Sequence, residues 1–174
     1  MTDRELVKRF QNGEEGAFDQ LVKRHYANTF SLFMRMSGDK MLSDDLCQET
    51  YLRVFRGLAR FRLEAEFTTW LYRISVNVAN SHFRREKLRN IFVRDTNVEH
   101  HPTRENPEFE WVHNGLWPAI EKLPKKQRMV IILRSFQQLP FREVGDIMGI
   151  SENSAKVNYH YAVNNLRKQL GEEQ

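Results

Sequence analysis

Cysteine is almost absent from this 174-residue chain: Cys47 is the only one. A disulfide framework and a multi-cysteine zinc site are therefore excluded. No run of about 18 apolar residues occurs, so no membrane span is expected. The first residues, Met1-Thr2-Asp3-Arg4-Glu5, are charged and lack the apolar stretch of a secretory leader. No signal peptide is expected, and the reducing cytoplasm is the expected location. There is no glycine-rich phosphate loop, no Ser/His/Asp grouping and no paired-carboxylate motif, so neither catalysis nor a cofactor is expected. Alternating apolar patterns are missing too, which argues against strands. What remains is a globular balance, 40% hydrophobic and 29% charged, and a chain long enough for one or two small domains.

The formal net charge of +4 is unevenly spread. Residues 1–89 carry net +4, residues 90–114 net −3 and residues 115–174 net +3. The acidic middle also holds Pro102, Pro107 and the pair His100-His101. It reads as a linker between two basic parts. The expected division is a domain over 1–92, a linker over 93–112 and a second domain over 113–174. The adjacent histidines point in different directions and have no supporting ligand spacing, so no metal site is expected there.

Both domains read as all-α. Leu6, Val7 and Phe10 fall at helical spacing. Phe18, Leu21, Val22, Tyr26, Phe30 and Phe33 step by three or four and predict one long amphipathic helix. Ser43 reads as the N-cap of the next helix, with Asp44 and Asp45 in its first turn. That helix has an apolar side of Leu46, Thr50, Val54 and Leu58, and a polar side of Asp45, Gln48, Glu49, Arg53 and Arg56. Cys47 reads as a small, semi-buried residue of this helix rather than a redox sensor. A third helix begins near Thr68 or Thr69 and runs through Leu71, Ile74, Val78 and Phe83 to Arg89. In the second domain, Asn106-Pro107 suits a helix start, Trp117-Pro118 predicts a kink or a late start, and Leu123-Pro124 restarts a helix carrying Met129, Val130, Ile132, Leu133 and Phe136.

Residues 141–160 fit a helix-turn-helix. Val144, Ile147 and Met148 face inward on its first helix. Gly145 is small where two helices must approach, Gly149 permits a positive φ, Ile150 plugs the turn and Ser151 caps the second helix. Ala155, Tyr159, Ala162 and Leu166 form a buried stripe. Lys156, Val157, Asn158, His160, Tyr161 and Asn164 lie opposite, with Ser154 near the helix start. Such a face suits the DNA major groove; the alternative is a helical hairpin without a DNA role. In the first domain, basic and aromatic residues interleave: Arg60, Phe61, Arg62, Phe67, Trp70, Tyr72, Arg73, His82, Phe83, Arg84 and Arg85. Cations neutralise phosphate and rings stack on unpaired bases; the same rings could instead be core.

Three blocks resemble the first conserved domain of bacterial sigma factors: Ala17-Phe18-Asp19-Gln20-Leu21-Val22, then Asp45 to Phe55 (Asp-Leu-Cys-Gln-Glu-Thr-Tyr-Leu-Arg-Val-Phe), then Phe67-Thr68-Thr69-Trp70-Leu71-Tyr72-Arg73-Ile74. Leu123-Pro124 followed by Arg128, together with the helix-turn-helix, resembles the promoter-reading C-terminal domain. With two domains and a short linker, the chain is similar to a group IV, extracytoplasmic-function sigma factor of the sigma-70 family.

That resemblance implies a subunit that binds core RNA polymerase, directs it to promoters and assists melting. Asp45, Gln48, Glu49 and Arg53 would dock on the β′ clamp, and the β flap is the second implied contact. The minus-ten element would be read as an unpaired strand by Arg60, Phe67, Trp70, Asn77, Asn80, Ser81, Arg84 and Arg85, with the reading loop between Trp70 and Arg84. The minus-thirty-five element would be read by Arg142, Ser154, Lys156, Val157, Asn158, His160 and Tyr161. An anti-sigma protein is a further implied partner. The competing reading is a stand-alone helix-turn-helix regulator with a helical sensing domain, which would bind duplex DNA by itself and ignore polymerase.

Overall fold

The computed structural model describes residues 1–92 and 116–171. The expectations for Asn106-Pro107, for His100-His101 and for the acidic linker lie outside the described residues. Those residues fall into two compact units, one from each half of the chain. Both are helical, and no strand occurs among the described residues.

The N-terminal unit contains α1 (Asp3–Gln11), α2 (Gly16–Ser37), α3 (Lys40–Leu58) and α4 (Phe67–Phe92). A capping box starts α1: the Thr2 amide donates to the Glu5 carboxylate at 2.6 Å, and the Glu5 amide donates to the Thr2 hydroxyl at 3.3 Å, satisfying two otherwise orphaned donors. Asp3 then ties α1 to α2, pairing with Arg24 and lying 2.8 Å from His25 Nε2. One part of the core gathers Leu6, Val7, Leu21, Val54, Leu58, Phe67 and Leu71. Another gathers Phe33, Leu46, Cys47, Val78 and Ala79. The predicted inner side of α3 is therefore the observed one.

The start of α3 differs from expectation. Asp39 is the N-cap, its carboxylate accepting from the Leu42 amide at 3.0 Å. Ser43 lies a turn inside the helix and is fully buried. Its hydroxyl donates back to the Asp39 carbonyl at 2.6 Å and lies 3.0 Å from the Ser37 hydroxyl. Asp44 and Asp45 thus sit beyond the first turn.

The C-terminal unit contains α5 (Leu116–Glu121), α6 (Lys125–Ile131), α7 (Phe141–Met148) and α8 (Glu152–Gln169). Pro118 falls inside α5, where Trp117 is buried. Helix α6 continues into one wider π-type segment, Ile132–Phe136, closed by the Gln137 amide on the Ile132 carbonyl at 3.1 Å. Its core side chains Val130, Ile132 and Leu133 are buried, as are Val144, Ile147, Ala155, Ala162 and Leu166.

Helices α7 and α8 form the predicted helix-turn-helix. Gly149 ends α7 at φ +68° and Ser151 caps α8, its hydroxyl accepting from the Ser154 amide at 3.0 Å. At Gly145 a Cβ would lie 2.7 Å from the Ile150 carbonyl and 3.2 Å from the Glu152 nitrogen, both backbone atoms. Backbone cannot step aside as a side-chain tip can. Gly145→Ala is therefore expected to destabilise this unit by about 2 kcal/mol, lowering its melting temperature by about 10 °C while the N-terminal unit melts unchanged. Calorimetry of the whole chain resolves the two.

Candidate nucleic-acid interface

Helix geometry of 3.6 residues per turn decides which candidate residues share a surface. On α4, Trp70, Asn77, Ser81 and Arg84 fall on one stripe, with Asn80 and Arg85 on its two flanks. Arg73, one of the interleaved basic residues, lies exposed on the same stripe, four residues before Asn77. Asn77, Arg84 and Arg85 are exposed, whereas Asn80 and Ser81 are half-buried. The Asn80 carboxamide oxygen is buried and has no hydrogen-bond partner among the described residues.

Two expectations change here. No loop separates Trp70 from Arg84, because α4 is unbroken from Phe67 to Phe92. The irregular segment lies earlier, over residues 59–66, between α3 and α4. It carries exposed Arg60, and Gln11 pins its start by donating to the Leu58 and Phe61 carbonyls at 3.0 and 2.8 Å. Phe67 is the second change. It is 2% exposed, built into the core with Leu71 and Leu58, and lies 5.3 Å from the His25 ring. It presents no face to a base; its role is to seat the first turn of α4. Trp70 is half-buried, stacked on Phe61 with ring centroids 4.5 Å apart and planes 17° from parallel.

On α3, Asp45, Gln48, Glu49 and Arg56 share the outward face. Arg53 flanks them and donates from Nε to the Glu49 carboxylate at 2.7 Å. At the centre of the face stands Leu52, 53% exposed, which the sequence reading passed over. Phe55, also exposed, borders it and packs edge-on against Phe10 and Phe18, with ring centroids 5.4 and 5.1 Å away. A large apolar group ringed by carboxylate, amide and guanidinium has the make-up of a protein-docking surface: an apolar centre inside a polar rim.

In the C-terminal unit, Arg142, Lys156, Val157, His160 and Tyr161 are exposed, and Ser154 and Asn158 are half-buried. Lys156 is bonded at 2.7 Å to Glu152 one turn earlier, and this contact lowers the Glu152 carboxyl below its ordinary pKa. Asn158 donates to the Ser154 carbonyl at 2.8 Å. Exposed Asn153 lies on the outward centre line of α8, one turn before Val157.

Cys47 is fully buried, and burial, with Asp44 nearby, pushes its thiol up to about 12. The thiolate is the reactive species, so the native chain is expected to resist iodoacetamide at pH 8.5. Alkylation should appear, by mass, only after denaturant is added. No cluster of three or more His, Cys, Asp or Glu able to hold a metal occurs among the described residues. No helix among them is long and apolar enough to cross a membrane.

A helix-turn-helix unit accompanied by a helical unit with a polar, partly aromatic stripe is an arrangement that suits nucleic-acid binding. Residues 21–89 match the family described as sigma-70 region 2, and residues 114–166 match sigma-70, region 4. The chain is 35% identical over 162 residues to the ECF RNA polymerase sigma-E factor of Escherichia coli (strain K12), covering 85% of this chain and 83% of that one. It is 28% identical over 182 residues to the ECF RNA polymerase sigma factor SigW of Bacillus subtilis (strain 168), covering 98% and 97%. Among solved structures, CnrH in complex with the cytosolic domain of CnrY shares the fold, with TM-score 0.77, 22% identity and 99% of each chain covered. The sigma factor RpoE in complex with the anti-sigma factor NepR, from Bartonella quintana, shares it with TM-score 0.73 and 19% identity, covering 90% of this chain and 98% of that one. The chain belongs to the sigma-70 family and is an RNA polymerase sigma factor of the ECF kind. It is an initiation factor, not an enzyme, and the stand-alone regulator is not favoured.

Proposed function

We propose that this chain is a group IV sigma factor whose α3 face captures core RNA polymerase and whose two units read the two promoter elements. Leu52 with Asp45, Gln48, Glu49, Arg53 and Arg56 forms the surface for the β′ clamp, and the C-terminal unit takes the β flap. The stripe on α4 meets the unpaired minus-ten strand: Trp70 offers a ring edge, Asn77, Asn80 and Ser81 hydrogen-bond to bases, and Arg60, Arg84 and Arg85 neutralise phosphates. Helix α8 enters the major groove of the minus-thirty-five duplex, with Arg142 at phosphate. The division into 1–92, 93–112 and 113–174 matches these tasks. An anti-sigma protein that covers these surfaces keeps the free factor silent, and the site of action is the cytoplasm.

The observation that carries this reading is the alignment of Trp70, Asn77, Ser81 and Arg84 along one side of a single helix, within a chain that belongs to the sigma-70 family. Purified chain mixed with core polymerase on a randomised promoter library is expected to give transcripts from a defined pair of sequence elements. Transcription independent of the added chain would overturn it.

A further inference from the structure

The outward centre line of α8 runs through Asn153, Val157, His160 and Asn164, opposite buried Ala155, Ala162 and Leu166. Its polar flanks are largely engaged within the helix. Lys156 is held by Glu152 at 2.7 Å. Asn158 is bonded to the Ser154 carbonyl, and Asn164 lies 3.0 Å from His160 Nε2. The His160 ring in turn meets Tyr161 edge-on, with centroids 6.2 Å apart. Val157 stands in the middle of this surface, 44% exposed, with nothing polar to offer. No arginine lies on this face before Arg167, so the commonest guanine contact is not available to it.

The edges of the base pairs in the major groove are donors and acceptors with one exception, the C5-methyl group of thymine. We propose that Val157 is a specificity-determining residue of this sigma factor that selects a thymine in the minus-thirty-five element by packing on that methyl group. This rests on the assignment of α8 to the duplex. The contact removes one methyl and part of the Val157 side chain from water, and it needs no partner to break an existing hydrogen bond. By contrast, Lys156 already spends one of its three donors on Glu152.

The test uses holoenzyme made from the full chain and core polymerase. A promoter is first selected from a library randomised across the upstream element. Each thymidine of the selected element, on either strand, is then replaced by deoxyuridine, which deletes the methyl and leaves every hydrogen-bonding group in place. One replacement is expected to weaken promoter binding by about fourfold, the worth of one buried methyl, and the others to be silent. Val157→Ala holoenzyme is expected to bind the thymine and uracil versions equally. Silence at every position with the wild-type chain, a selected element without thymine, or an undiminished preference for thymine in Val157→Ala overturns the proposal. A library that returns fixed downstream bases but no fixed upstream element overturns instead the placing of α8 on duplex DNA.

Discussion

Phe67→Ala is expected to lower the stability of the N-terminal unit by about 3–5 kcal/mol, the cost of truncating a fully packed phenylalanine. The ring is 2% exposed and touches the cluster formed by Leu6, Val7, Leu21, Leu58 and Leu71. Its removal opens a cavity at the root of α4, where α2 and α3 pack against the helix. Denaturant unfolding followed by circular dichroism measures the loss directly. A ring used mainly for stacking on a base would behave oppositely. Its deletion would leave the midpoint of unfolding in place and reduce only the affinity for single-stranded DNA. Phe67→Leu, which keeps the apolar volume more nearly, separates the two further: it should recover most of the stability and, with it, the DNA affinity.

Leu52→Glu is expected to weaken association with core polymerase by about 30-fold, the effect of losing an anchor at the centre of an interface. Leu52 makes little contribution to folding because it is 53% exposed on a helix whose opposite side carries the packing. Melting temperature and DNA-independent helicity should therefore be unchanged, and the loss should appear in a binding titration with core enzyme. Asp45→Ala and Gln48→Ala, at the polar rim, should each cost less and show a stronger dependence on salt in the charged case. If Leu52→Glu binds core enzyme as the wild type does, the docking surface is not centred on this part of α3.

Most helices were legible because their apolar spacing was unbroken and their ends carried chemistry that can be read locally. Ser151 and Gly149 are examples: the cap and the positive φ both fall where the residue types demanded them. Ser43 shows the limit of such reasoning. Ser-Asp-Asp resembles a helix start, yet Gly38 ends α2 at φ +69° and Asp39 takes the cap position immediately after it. The serine then satisfies its hydroxyl against the preceding turn, as serines inside helices do. The π-type segment at Ile132–Phe136 was illegible because it depends on packing: Phe136 lies edge-on to Trp117 at 5.9 Å, and only the folded unit brings these together. The reading loop was implied by the family resemblance alone, whereas the apolar spacing of Leu71, Ile74, Val78 and Phe83 predicts the helix that is observed; Val76, Val78 and Ala79 are buried, and that burial keeps the segment helical. The candidate site residues rest on residue type and family resemblance; which of them face outward depends on the folded unit, where Phe67 is buried and Leu52 is exposed.

The unbroken course of α4 has a consequence for how promoter spacing can evolve. Trp70 and Arg84 are fourteen residues apart on one rod, hence about 21 Å apart along its axis, and no joint lies between them. Adding one residue inside this stretch would swing everything beyond it by about 100° and carry Arg84 off the stripe that holds Trp70 and Asn77. A residue added over 59–66 would leave that register whole. If the stripe reads DNA as proposed, the ruler that spaces bases from phosphates is cut to a fixed length, and variation among relatives should accumulate in the segment before it rather than along it.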